Sequence, residues 1–218
     1  MPHPLDLSLY LVTNSEQCHA AGRSVAETVA LAVEGGVTVV QVREKDASAR
    51  DFLATVASVA EVLPAHIPLL VNDRVDVYLA ARAAGHPVAG VHIGQSELPA
   101  PLVRQLIGAD AVLGISAATP ESLAEAQASG VVDYVGMGPL NTTTTKRNAP
   151  PAIGLPSLAA LRRLTHLPAV AIGGVGMADM QPLRAAGFDG AAVVSAICKA
   201  SDPRAAAAAL KACWQSHT

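Results

Sequence analysis

Aromatic side chains are scarce in this chain: Phe, Trp and Tyr together make up 3% of it. A core built on large rings is therefore excluded, and the 51% of hydrophobic residues must be met chiefly by Ala, Val, Leu and Ile. That is the material of short parallel strands covered by small-residue helices. Cysteine is sparse too. Cys18, Cys198 and Cys213 are far apart in sequence, odd in number and in no C-x-x-C arrangement, which excludes a disulfide framework and points to a reducing, cytoplasmic setting. The histidines show no H-x-x-x-H or comparable spacing, so no zinc site is expected. An uninterrupted apolar run of about 18 residues, which a membrane span needs, is missing, and the opening MPHPLDLSLY has neither the basic region nor the apolar stretch of a signal peptide. A basic excess is missing as well: the formal net charge of -3 argues against broad electrostatic binding to nucleic acid. Any anion must be held by a few local groups.

What is present is a repeated phrase: an Ala-rich helical stretch, a glycine, then a short β-branched run ending in polar or glycine residues. It recurs as EGGVTVVQVREK, AAGHPVAGVHIGQ, ASGVVDYVGMGP and AAGFDGAAVVSA. Gly35, Gly85, Gly130 and Gly187 are placed to take the positive φ that closes a helix. Each following run is too short and apolar for anything but a strand buried on both faces. The pattern predicts strands near 8–13, 37–42, 67–71, 88–93, 111–115, 132–136, 168–172 and 190–194, helices between them, and a last helix near 203–214. Eight βα units in 218 residues predict one (β/α)₈ TIM barrel, an α/β fold, spanning 1–218 as a single domain. Joints entering the strands are tight and apolar, whereas those leaving carry TNSEQ, REKD, NDR, GQSE, SAAT, GPLNTTTTK, GGVG and SAI. Polar chemistry therefore collects at the C-terminal end of the barrel, where such folds keep their active sites. The long loop from Gly138 to about Leu155 is a candidate substrate lid.

The loops after the last two strands, Gly173-Gly174 and Val194-Ser195-Ala196, sit where barrels build phosphate cradles from backbone amides, although the glycines could serve only to turn the chain. Alternation puts Gln41 and Arg43 on one side of the second strand's end, with Lys45 beyond. A fork donor and a point cation together suit a diphosphate; a solvated strand end would read the same. Asp73 ends the third strand and Glu97 follows the fourth, so two carboxylates could share one Mg²⁺, which takes one or two carboxylates plus water and phosphate oxygens. Asn72 or Asp73 could equally cap the next helix. Thr143, Thr145 and Lys146 could close over an anionic leaving group. Ser116 reads as an anion donor or an N-cap, His92 as a satisfied core histidine, and Trp214 as packing or a subunit contact; homo-oligomerisation stays open.

In order along the chain, Tyr10-Leu11-Val12-Thr13, Gln41-Val42-Arg43-Glu44-Lys45, Leu70-Val71-Asn72-Asp73-Arg74, Gly90-Val91-His92-Ile93-Gly94-Gln95, Asp133-Tyr134-Val135-Gly136-Met137-Gly138-Pro139, Thr143-Thr144-Thr145-Lys146, Ala171-Ile172-Gly173-Gly174 and Val194-Ser195-Ala196-Ile197 resemble the thiamine-phosphate synthase family. The resemblance implies a transferase joining a hydroxymethylpyrimidine pyrophosphate to a thiazole phosphate. It implies that Gln41, Arg43, Lys45 and Asn72 contact the pyrimidine pyrophosphate, that Asp73 holds Mg²⁺ with Glu97 as second ligand, and that Ser116 and Lys146 touch the pyrophosphate or pyrimidine. Thr143 and Thr145 would meet the thiazole phosphate or the closed loop, with Gly173, Gly174, Val194 and Ser195 around that phosphate. Two positions depart from the family pattern. Glu97 stands where G-Q-x-D has Asp, and Ala118 where the family usually has His. The related thiazole tautomerase relies on that histidine, which Ala118 cannot replace. A tautomerase-like isomerase and a non-catalytic phosphate-ligand sensor are the alternatives on the same barrel.

Overall fold

Alternation along each short strand sorts its side chains to two sides. Leu9 and Leu11 pack outward against the helices, while Tyr10 and Val12 join a second cluster with Leu7, Val39, Leu70, Tyr134, Val170 and Ala192 inside the ring of strands. The computed structural model describes residues 5–143, 145 and 150–216. Its strands are β1 (Leu9–Val12), β2 (Val39–Val42), β3 (Leu69–Asn72), β4 (Val88–Ile93), β5 (Val112–Ser116), β6 (Tyr134–Met137), β7 (Ala169–Ala171) and β8 (Gly190–Val193). All neighbours are parallel, and β8 pairs with β1 to close an eight-stranded barrel. Every strand lies at its expected place, and the last helix runs Pro203–Gln215. No helix among the described residues is long and apolar enough to cross a membrane.

Helices occupy the connections, and their starts are written in the sequence. Ser24 and Glu27 form a reciprocal capping box on the helix Val25–Glu34, and Thr119 with Ser122 does the same for Pro120–Ser129. Gly85, Gly130 and Gly187 take the expected positive φ. Gly35 does not: its φ is -80° and the positive φ of 103° falls on Gly36. Gly35 is needed for another reason, since a Cβ there would overlap the Arg204 carbonyl oxygen and meet Ala207 Cβ at 2.7 Å. The missing side chain lets the last helix lie directly on the first long one.

At the N-terminal end of the barrel, one device recurs. The residue before an even-numbered strand donates its amide to a carbonyl at the start of the preceding strand and accepts that residue's amide on its side chain. Thr38 does this with Leu9, Asp133 with Leu113, and Asp189 with Ala169. Arg104 and Arg162 then pair with Asp133 and Asp189 at 2.7 and 3.1 Å. Three of the four odd–even strand pairs are thus clipped at the bottom, which leaves the top free for chemistry. Trp214 is buried in the shell between strands and helices. Cys18 and Cys198 are buried there as free thiols, and Cys198 Sγ donates to the Val12 carbonyl at 3.9 Å.

Candidate active site

On four consecutive strands the interior position at the C-terminal end is polar where the one below it is apolar or glycine. On β2 the inward sequence is Val39 then Gln41; on β3, Leu70 then Asn72; on β4, Gly90 then His92; on β5, Gly114 then Ser116. Gln41, Asn72 and His92 are all buried. Just beyond β2, Arg43 donates its backbone N–H to Thr13 Oγ1 at 3.1 Å. Arg43 is half-buried, and burial pulls its pKa down while Asp73, Glu44 and Asp46 push it back up. A guanidinium stays charged through such a shift, so Arg43 is a partly desolvated cation at the mouth and not a solvated strand end.

Asp73 follows β3 with φ 60°, the only non-glycine residue at positive φ among the described residues. Its Oδ1 accepts the Gly94 N–H at 3.0 Å, and its Oδ2 is ion-paired with Lys45. The helix that follows, Val75–Ala83, has Arg74 at its N-cap and no side-chain cap. Neither Asn72 nor Asp73 therefore serves as the cap that the sequence left open: Asn72 Nδ2 donates instead to the His92 carbonyl at 3.4 Å. Glu97 stands beside Asp73, since a Cβ on Gly94 would lie 3.8 Å from both Asp73 Oδ1 and Glu97 Cγ. No group of three or more His, Cys, Asp or Glu that could hold a metal is gathered among the described residues. Two neighbouring carboxylates fit Mg²⁺, which takes one or two carboxylates and keeps waters or substrate phosphates in its shell, and do not fit a closed structural site.

Ser116 is likewise not a cap, since Thr119 has that role. Its carbonyl accepts Gln95 Nε2 at 2.5 Å and its Oγ lies 3.1 Å from His92 Nε2. Thr145 donates its amide to Thr143 Oγ1, and Gln17 Nε2 donates to Thr145 Oγ1 at 3.4 Å, tying this part of the long loop to the exit from β1. Lys146 lies outside the described residues. Gly173 and Gly174 both have positive φ, and their absent side chains are used by the loop after β6: a Cβ on Gly173 would overlap Pro139, and one on Gly174 would lie 2.9 Å from Asn141 Cβ. Val194 is the N-cap of the short helix Ser195–Cys198 and makes no side-chain cap bond, and Ser195 is exposed at its start.

Two tyrosines absent from the expected set complete the arrangement. Gln41 Nε2 donates to Tyr10 Oη at 2.6 Å, the Tyr10 and Tyr134 hydroxyls are 2.7 Å apart, and Tyr134 Oη is 2.9 Å from His92 Nδ1. Burial pushes both phenols up, Tyr134 further by the neighbouring Tyr10, and pushes His92 down to about 4 against the pull of Asp73. All three are neutral at pH 7. The available signal was parity: Tyr10 and Tyr134 are two of only three tyrosines and occupy inward positions of their strands.

A closed (β/α)₈ barrel with charged and polar side chains gathered at the C-terminal mouth has the architecture of an enzyme. The family model described as thiamine monophosphate synthase matches residues 9–197. The chain belongs to this family. It is 46% identical over 206 residues to the thiamine-phosphate synthase of Albidiferax ferrireducens, covering 94% of this chain and 90% of that protein. With the thiamine-phosphate synthase of Syntrophomonas wolfei it shares 42% over 213 residues, 97% and 98% of the two chains. The solved thiamine phosphate pyrophosphorylase from Pyrococcus furiosus superposes with a TM-score of 0.83 at 29% identity over 97% of each chain. A 3-hexulose-6-phosphate synthase, at 18% identity and a TM-score of 0.70, shares the fold.

Proposed function

We propose that this chain joins 4-amino-2-methyl-5-hydroxymethylpyrimidine pyrophosphate to 4-methyl-5-(2-hydroxyethyl)thiazole phosphate, or its carboxylated form, giving thiamine phosphate and pyrophosphate. The observation that carries this reading is the convergence of Arg43, Lys45, Asp73 and Glu97 at one barrel mouth in a chain of this family. The C–O bond to the diphosphate breaks first and the leaving group takes the electron pair. The resulting pyrimidine methylene cation is then captured by the thiazole nitrogen. Such a step needs no general base; it needs charge placed in advance around the leaving group, and water kept out.

Arg43 and Lys45 bind the diphosphate, Gln41, Asn72 and Ser116 orient the pyrimidine end, and Lys146 adds a cation from the long loop. Thr143, Thr145, Gly173, Gly174, Val194 and Ser195 hold the thiazole phosphate. Asp73 and Glu97 would hold Mg²⁺, which supplies neutralisation of the departing diphosphate when bound. The isomerase alternative gains nothing from the site. Ala118 has no titratable group, and His92 has both ring nitrogens engaged with Tyr134 and Ser116.

Incubation with both substrates and Mg²⁺ is expected to release pyrophosphate in step with thiamine phosphate, and EDTA to stop both. Absence of product under those conditions would end this reading. Lys146→Ala is expected to lower the single-turnover rate far more than it weakens thiazole phosphate binding, and equal losses would remove Lys146 from the leaving-group role.

A further inference from the structure

Below the mouth, a line of polar groups crosses the barrel from Gln41 on β2 through Tyr10, Tyr134 and His92 to Ser116 on β5. Space for it comes from two glycines. A Cβ on Gly114 would overlap the Tyr134 ring, and one on Gly136 would lie 3.1 Å from His92 Cε1. The four links need four protons. The two phenols and the neutral imidazole supply three, so the fourth must come from one end, either the Gln41 amide or the Ser116 hydroxyl.

The line therefore has two polarities. When Gln41 donates inward, each link points from β2 towards β5, His92 carries its proton on Nε2, and Ser116 accepts. Gln41 then turns its carbonyl to the mouth and Ser116 its O–H. In the opposite sense Ser116 donates inward, His92 is protonated on Nδ1, and the mouth sees the Gln41 amide N–H with a Ser116 lone pair. The structure has Gln41 Nε2 on Tyr10, which is the first sense.

We propose that Tyr10, Tyr134 and His92 are positioning residues that fix this polarity and so impose one acceptor and one donor on the pyrimidine subsite, selecting a 4-aminopyrimidine over a 4-oxopyrimidine. The proposal rests on the reading above, in which Gln41 and Ser116 face the pyrimidine substrate. An exocyclic amine with an unprotonated ring nitrogen matches a carbonyl and an O–H. A 4-oxo ring, with its carbonyl and ring N–H, matches the reverse. Misreading leaves a buried polar group unpaired, which is the strongest means a site has of rejecting an isosteric analogue.

The test uses the full chain with ¹⁵N-labelled histidine and two probes, the 4-amino pyrimidine diphosphate and its 4-oxo analogue. The expected wild-type spectrum shows His92 as the Nε2–H tautomer. Tyr134→Phe, which removes the proton that holds Nδ1 as acceptor, is expected to lose this single tautomer and to lower the amino-over-oxo ratio of kcat/KM by roughly tenfold or more. Tyr10→Phe frees Gln41 to rotate and is expected to lower the ratio similarly while His92 keeps its tautomer. A wild-type His92 protonated on Nδ1, or an unchanged ratio in folded variants, overturns the proposal. Failure of the wild type to use the amino substrate at all would instead remove the proposed function, and the His92 spectrum reports the polarity even if a variant does not fold.

Discussion

The ammonium of Lys45, just beyond β2, is ion-paired with the carboxylate of Asp73, just beyond β3. Under the proposed function, the cation that would meet the diphosphate and the carboxylate that would hold its metal neutralise each other before substrate arrives. Lys45→Ala is expected to tighten Mn²⁺ binding to the free protein, read by titration, while lowering turnover by about 100-fold through loss of leaving-group stabilisation. Because the lysine side chain is 45% exposed, its removal should change unfolding free energy by no more than about 1 kcal/mol.

Asp73 serves stability as well as charge. Its φ of 60° is one that Asp and Asn tolerate and Ala resists. Asp73→Asn, Asp73→Gly and Asp73→Ala should all lose activity alike, since each loses the carboxylate. Denaturant melts should separate them, with the alanine variant about 1 kcal/mol less stable than the asparagine one. Equal stabilities would show that the backbone there relaxes freely.

Acid should act through His92. Its folded pKa is about 4, below the ordinary value near 6.5, so the unfolded chain binds the proton more readily. The stability this contributes is complete above about pH 6.5 and is lost as the pH falls towards 4, a change on the order of 3 kcal/mol for a fully buried ring. Urea unfolding at pH 7 and pH 4.5 measures it. His92→Gln, which does not titrate, should be less stable at pH 7 yet lack this part of the acid sensitivity.

Gly114→Ala would force a methyl into the Tyr134 ring. Overpacking of this kind costs about 1–3 kcal/mol, and displacement of the ring should loosen the contact between Tyr134 and His92. A thermal melt and the His92 proton resonances are the measurements. A variant as stable as the parent with unchanged resonances would mean the ring moves aside at no cost.

The barrel was legible because its signals are local. The βα phrase repeats, and strands as short as Ala169–Ala171 still announce themselves as apolar runs between a tight entry and a polar exit. The strand-exit positions of Arg43, Lys45, Asp73 and Glu97 were legible too, because each follows the apolar run of its strand. Whether Asn72 and Ser116 cap a helix was not, because capping and substrate contact call for the same residue types; the actual caps are Arg74 and Thr119. Tyr10 and Tyr134 escaped notice because their partnership spans 124 positions, and no local pattern encodes a contact across the diameter of a barrel. Gly35 misled for a similar reason: its neighbour is the last helix, not its own turn.

The space that Gly114 and Gly136 leave to Tyr134 and His92 binds the evolutionary freedom of several strands together. A descendant that acquires a side chain at 114 must surrender the ring at 134, and with it the support of the imidazole at 92. These positions, on β4, β5 and β6, should therefore drift as a block when the barrel is turned to a different heterocycle.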